Sequence, residues 1–200
     1  LPAAGCGRPF MPDQLIDYTI HTRARSFFEN GIVAHVSVAD PFSNYLSDII
    51  ANAVETVGGT VHRKATFLVE DGPRFATRAE SHMFRNLGCD IIGMTTAPEA
   101  FLAREAEIDY MSMAHITDYD SWHEEEEAVT SEMVIQTLVE NVKVVQKALA
   151  EAIQHIDEDK ILPVHTTLDS ALATSPNAIS QEAVDILRPI VARTLKLDTQ

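Results

Sequence analysis

The chain has 200 residues, 46% of them apolar, with 15 Lys and Arg against 30 Asp and Glu and a formal net charge of −15. That length suits one domain, or one domain with an extension, and the acidic balance argues against non-specific binding to nucleic acid or to an anionic membrane surface. No apolar run approaches the ~18 residues of a spanning helix, no basic segment followed by an apolar one opens the chain, and Cys6 and Cys89 form neither a disulfide framework nor a zinc site, so a soluble cytoplasmic protein is expected.

The first twelve residues are small and rich in Gly and Pro, and residues 13–42 mix short β-branched runs, such as Gly31 to Val38, with polar turns. From Asn44 to Val57 apolar residues recur at helical spacing, and Gly58-Gly59 supplies a stop. Lys64 to Val69 predicts a strand, Asp71 to Phe75 a turn, Thr77 to Leu87 a helix closed by Gly88, and Asp90 to Met94 a short strand. Pro98 opens a helix through Ala106, and Asp109 to Ile116 reads as another strand. Thr130 is placed to cap a long helix whose buried face would hold Met133, Val134, Leu138, Val142, Val145, Leu149 and Ile153. Residues 155–177 break the periodicity, and a last helix runs from about Ile179 to Leu197. Strands alternating with helices predict an α/β fold with a mixed, largely parallel central sheet flanked by helices.

In an open α/β sheet, ligands bind beyond the carboxyl ends of the strands. Three segments fall there: Glu70 to Phe75, Gly93 to Thr96, and Thr117 to Asp120. At an extended strand end, Asp118 and Asp120 would point to one face, and like charge would raise the pKa of at least one. One acid could then donate a proton while the other accepts a hydrogen bond. The same pair also suits a solvated loop, a helix N-terminus, or the divalent metal of a sugar-nucleotide transferase. Phe75 could present its ring to a flat ligand or sit in the core, and Thr95 and Thr96 could bind an anion or cap a helix. The eight histidines show no tight metal spacing; His35, His115 and His123 are noted for their neighbours, and Glu124 to Glu127 reads as a solvated acidic face.

The run EDGPRFATRAESHMFRNLGCDIIGMTTAPEAFLAREAEIDYMSMAHITDYDSW, Glu70 to Trp122, resembles the heart of the methylthioadenosine phosphorylases, bacterial type, within the trimeric purine nucleoside phosphorylase family. Its GPRF, MTTAPE and TDYD motifs stand in the family's order and spacing. PDQLIDYT, AHVSVADPF and the C-terminal ALATSPNAISQEAVDILRPIVARTL are similar too, so the resemblance covers nearly the whole chain from Pro12. It implies a nucleoside-phosphorylase-like fold, with residues 1–155 as a partial phosphorylase α/β domain. Residues 156–200 would be a C-terminal extension with a terminal helix, in the same domain or packed on a neighbouring subunit.

The implied reaction is phosphorolysis of methylthioadenosine to adenine and methylthioribose 1-phosphate, a step of purine and methionine salvage, with inorganic phosphate as co-substrate and no cofactor or metal. Carried over by motif, Asp118 would be the general acid at the purine's five-membered ring and Asp120 would accept from the exocyclic amine. Phe75 would pack on the base, Met94 against the ribose, and Thr95 would bind phosphate. His35 would reach the methylthio end of a ligand in a neighbouring subunit, which makes a homo-oligomer, a trimer with shared active sites, part of the site. Two departures are expected to matter. Gly93 stands where some members carry Asn, removing one polar contact to the nucleoside, and the family's glycine-rich phosphate loop and first strands, upstream of PDQ, are missing from this sequence. Two rival readings remain: a phosphorylase for inosine, guanosine or methylthioinosine, and an inactive binding or oligomerisation module.

Overall fold

The computed structural model describes residues 8–20, 23–29, 31–122 and 131–197. Cys6, His123, Glu124 to Glu127 and the Thr130 cap lie outside the described residues, as do the side chains of Met133, Val134 and Leu138.

Two parallel stretches of chain set the frame. Strands β1 (Pro9–Met11) and β2 (Gln14–Asp17) follow one another closely, and so do β3 (His62–Arg63) and β4 (Thr66–Val69). β1 pairs with β3 and β2 with β4 at the same separation of 52 residues, Phe10 facing His62 and Gln14 facing Thr66. Pro12 has no amide proton to give a ladder, and Lys64 turns left-handed at φ 71°, so the pairing bends there. Asp13 bridges the bend: its carboxylate accepts the Ala65 N–H at 3.0 Å while its own N–H reaches the Ala65 carbonyl at 3.1 Å. β5 (Ile91–Gly93) joins β4 in parallel, and β6 (Ala114–His115) joins β1 antiparallel. Two three-stranded sheets result, β3-β1-β6 and β2-β4-β5, with three of the four pairings among described residues parallel. The mixed α/β class therefore holds. Alternation along β4 sends Phe67 and Val69 into one core with Phe10, Ile91 and Ala97, and Leu68 into another with Ala76 and Phe84.

Two expected strands shrink. Of 109–116 only Ala114–His115 pairs, because Tyr110 gives its carbonyl to the Ser43 N–H and Asp109 accepts the Ser43 hydroxyl. The stretch from Gly31 to Val38 keeps a single bridge, Ala34 to Leu172.

Helices α1 (Asn44–Thr56) and α2 (Arg78–Asn86) start on side-chain caps, Ser43 and Thr77. Thr77 and Glu80 form a reciprocal capping box, which satisfies two N-terminal amides at once. In α3 (Thr96–Glu105), Ala97 is extended at φ −106°, ψ 134°, as a residue before proline prefers, so regular helix begins beyond Pro98. α4 (Ser131–Ile153) lies on α1, but on a different face from the expected one. Asn141, Ala148 and Ala152 are buried and Val145 is half-buried, whereas Val142, Leu149 and Ile153 are exposed. The buried faces of both helices carry small residues, Ala51 and Ala53 on α1 and Ala148 and Ala152 on α4, which suits a close approach. After α5 (Leu168–Ala171), the terminal α6 (Gln181–Leu195) buries Ala183, Leu187 and Val191 against Phe28 and Ile32 of the same chain. Glu107 ties that region down through a two-pronged ion pair with Arg193, at 2.6 and 2.9 Å.

Candidate active site

A cavity of about 460 Å³ opens at the carboxyl ends of β4 and β5 and beyond β6. Its wall includes Phe75, Gly93, Met94, Asp118 and Asp120, five of the seven residues singled out in the sequence. The other two stand apart. Thr95 is exposed at the first position of the α3 cap, where its side chain makes no capping hydrogen bond. His35 lines a second cavity of about 260 Å³ with Ser37, Asp40 and Arg104.

Asp118 and Asp120 reach the cavity by a different route from strand alternation. β6 stops at His115, and residues 118–120 form a turn in which one Asp118 oxygen accepts the Asp120 N–H at 2.9 Å and the other accepts the Thr117 hydroxyl at 2.7 Å. Asp120 itself is left-handed at φ 59°, a conformation that Asp tolerates better than most side chains. The Ser121 hydroxyl then donates to the Ala76 carbonyl at 2.8 Å, fastening this turn to the segment that carries Phe75. Phe75, 44% exposed, follows the Gly72-Pro73 turn and lines the cavity. Gly72 leaves room for Met94: a β-carbon there would lie 2.8 Å from the Met94 sulfur. Arg23 fixes the next turn, donating to the Met94 and Ala97 carbonyls and pairing with Asp71 at 3.2 Å.

Charge at this end is mostly negative and unevenly shared. Arg74 is engaged by Glu80 through two bonds, at 2.6 and 2.8 Å, and this pairing, with the Thr77 backbone and hydroxyl, pulls the Glu80 pKa down to about 2. Glu70, 6% exposed, is pushed the other way, first by burial and then by the negative charges of Glu80, Asp120 and Asp71, with Arg74 opposing. His115 lines the cavity with both ring nitrogens buried and bonded to no described residue, and burial lowers its pKa, favouring neutral imidazole. Trp122 closes the rim, with the Arg85 guanidinium 3.5 Å above its ring and Tyr119 edge-on to it. Glu70, His115 and the Arg85–Trp122 stack receive no role from sequence reading. For Glu70 the signal is there: a charged residue directly follows the apolar run Phe67-Leu68-Val69. Among the described residues, no group of three or more His, Cys, Asp and Glu is placed to hold a metal, and no helix is long and apolar enough to cross a membrane.

A mixed α/β fold with an aromatic face, a thioether and two turn-held carboxylates at its strand ends is built to hold a small, flat, polar ligand. More specifically, the chain belongs to the phosphorylase superfamily, whose family model matches residues 2–154. It is 45% identical over 187 residues to the S-methyl-5'-thioadenosine phosphorylase of Chloroflexus aurantiacus, covering 94% of this chain and 65% of that protein. To the enzyme of the same name from Geobacter sulfurreducens it is 42% identical, over 92% of this chain and 65% of that protein. Among solved structures it is similar to a methylthioadenosine phosphorylase from an antarctic soil metagenomic library, with TM-score 0.85, 42% identity, and 92% and 65% of the two chains covered. It also resembles the methylthioadenosine phosphorylase of Schistosoma mansoni in complex with adenine, with TM-score 0.78, 29% identity, and 84% and 67% covered. The chain thus spans just under two thirds of the length of these two curated relatives.

Proposed function

We propose that this chain carries the nucleoside-binding half of a phosphorolytic site, acting on methylthioadenosine and phosphate to give adenine and methylthioribose 1-phosphate. The observation that carries this reading is the placement of Asp118 and Asp120 in one cavity with Phe75 and Met94. The names of the relatives support the choice of substrate, and the adenine complex of one of them supports a 6-aminopurine as the base.

In the reaction, a phosphate oxygen forms a bond to the anomeric carbon as the bond from that carbon to the purine N9 breaks. The bonding pair leaves with the base, the sugar becomes oxocarbenium-like, and the proton of Asp118 passes to purine N7, so adenine departs neutral. The Thr117 hydroxyl and the Asp120 N–H, both donating to Asp118, stabilise the carboxylate left behind. Asp120 accepts from the exocyclic amine, and a 6-oxo base would instead set an acceptor against that carboxylate. Phe75 stacks on the base, Met94 shields the sugar from water, and Thr95, on the turn just beyond Met94, meets the phosphate. His35, exposed and lining a separate cavity, is available to a ligand held by another copy of the chain, in keeping with a shared-site homo-oligomer.

The test measures adenine binding by calorimetry and phosphate-dependent release of adenine from methylthioadenosine. Asp118→Ala should lower release by about 10²–10⁴-fold, the contribution of a positioned general acid. Adenine binding without any release would identify a binding module. Faster turnover of inosine than of methylthioadenosine would overturn the role of Asp120.

A further inference from the structure

We propose that the exposed apolar seam of α4 is a self-association surface, against which a second copy of this chain lays its own α4 antiparallel. The inference uses no residue of the nucleoside reading and stands or falls apart from it.

α4 shows three faces. Asn141, Ala148 and Ala152 are buried where the helix lies on α1, and Lys143, Lys147 and Gln154 are exposed on a polar face. Between the two, roughly 110° round from the α1 side at about 100° per residue, runs a third face. Ile135, Val139, Val142, Leu149 and Ile153 line it, with Ile156 just past the helix end, all of them 38–67% exposed. With Gln146 included, the steps along this line are four, three, four, three, four and three residues. That is the 3.5-residue period of a coiled-coil seam, and it falls within about 80° of the helix circumference, narrower than the stripe a helix turns to a mixed core. The period calls for another helix, and the pattern says which one. Set antiparallel on itself about Gln146, the seam brings Val142 opposite Leu149, Val139 opposite Ile153 and Ile135 opposite Ile156, so every apolar residue meets an apolar one. Gln146 meets its own copy, where each amide can donate to the other, and any slip would set an amide against a hydrocarbon. Each face presents roughly 500 Å² of apolar surface, so two bury about 1,000 Å², the size at which a specific interface begins. Such a contact is isologous and closes at two copies.

Sedimentation velocity from about 1 to about 100 µM reads the association, in the range of a modest interface. The wild-type mass should double as concentration rises, whatever assembly the chain forms through other surfaces. The double variant Val139→Lys/Ile153→Lys sets lysine against lysine and should stay at the lower mass throughout. Val139→Lys/Ile153→Glu sets lysine against glutamate only if the helices run antiparallel, and should associate at least about 10-fold more tightly than the double-lysine variant. Because each copy carries a net charge of −15, added salt should tighten the wild-type association. Urea unfolding at sub-micromolar protein, where the copies are apart, checks that each variant folds. Should the double-lysine variant not fold, Gln146→Cys decides, by whether mild oxidation links it to its copy faster than it links the wild-type chain. The proposal is overturned if the wild-type mass does not double, if the double-lysine variant doubles as well, if the lysine–glutamate variant is no tighter, or if salt loosens the association. Native mass spectrometry that finds a foreign polypeptide on the wild-type chain and none on the double-lysine variant gives the seam another occupant, and overturns self-pairing too.

Discussion

Gly93 and Phe67 are packed so closely that a β-carbon on residue 93 would stand 2.8 Å from both Cε2 and Cζ of the ring. Phe67 is buried in the core with Phe10 and Ile91. Gly93 is therefore dictated by packing on the neighbouring strand, which gives a physical reason for the missing side chain where some relatives carry Asn. Gly93→Ala should lower stability by about 1–3 kcal/mol in urea unfolding, the usual cost of overpacking. Phe67→Leu in the same chain should return most of that loss, and purely additive effects of the two substitutions would show that the ring is not the obstacle.

The capping box of α2 should govern part of the acid sensitivity. Glu80 holds a pKa of about 2, below the ordinary 4.5, chiefly through its bond from Arg74. A carboxyl depressed in the folded state adds stability above its unfolded pKa and loses it as pH falls from about 4.5 towards 2. Glu80→Gln should flatten the stability profile across that window, as measured by urea titration at successive pH values. The ion pair is open to solvent, so added salt should weaken the effect. Thr77→Ala removes the other half of the box and should cost about 1 kcal/mol, with a smaller part of the same pH dependence, because the Thr77 hydroxyl also helps to hold the Glu80 pKa down.

How far the chain could be read before folding depends on how local each signal is. The starts of α1 and α2 are legible because Ser43 and Thr77 cap them, and their ends because Gly58 and Gly88 take positive φ. The strand ends that meet at the cavity are legible for a similar reason, since each short apolar run stops at a polar turn. Facing is not local. In α4, Asn141, Ala148 and Ala152 turn inward while bulkier apolar residues stay out, a choice made by α1 rather than by the helix's own periodicity. Asp118 and Asp120 do share a cavity, but through a turn with a left-handed residue that an i, i+2 rule does not describe. The inward course of Glu70 depends on its register against β5, and the separation of His35 depends on the bridge from Ala34 to Leu172.

The facing of α4 has a direct consequence for substitution. Ile153 is 67% exposed and Val139 59%, so Ile153→Lys and Val139→Lys should change stability by no more than about 0.5 kcal/mol. Ala148 and Ala152 are buried to 0% and 2% exposure, and Ala148→Leu or Ala152→Leu should cost about 1–3 kcal/mol by forcing the helix away from its support. A denaturant series on the four variants checks the order. If the lysine variants proved the more damaging, α4 would have to turn its bulkier face inward.

Glu70 should act on stability with the opposite sign to Glu80. Its folded pKa lies above the unfolded value, so below about 4.5, where the carboxyl is protonated in both states, it imposes no penalty. As pH rises, the unfolded chain gives up the proton first, and stability falls until the folded carboxyl has ionised too. Glu70→Gln removes that slope, so the variant should gain on the wild-type chain at pH 7 compared with pH 4. Equal stability differences at the two pH values would mean that the carboxyl finds compensation in the folded chain.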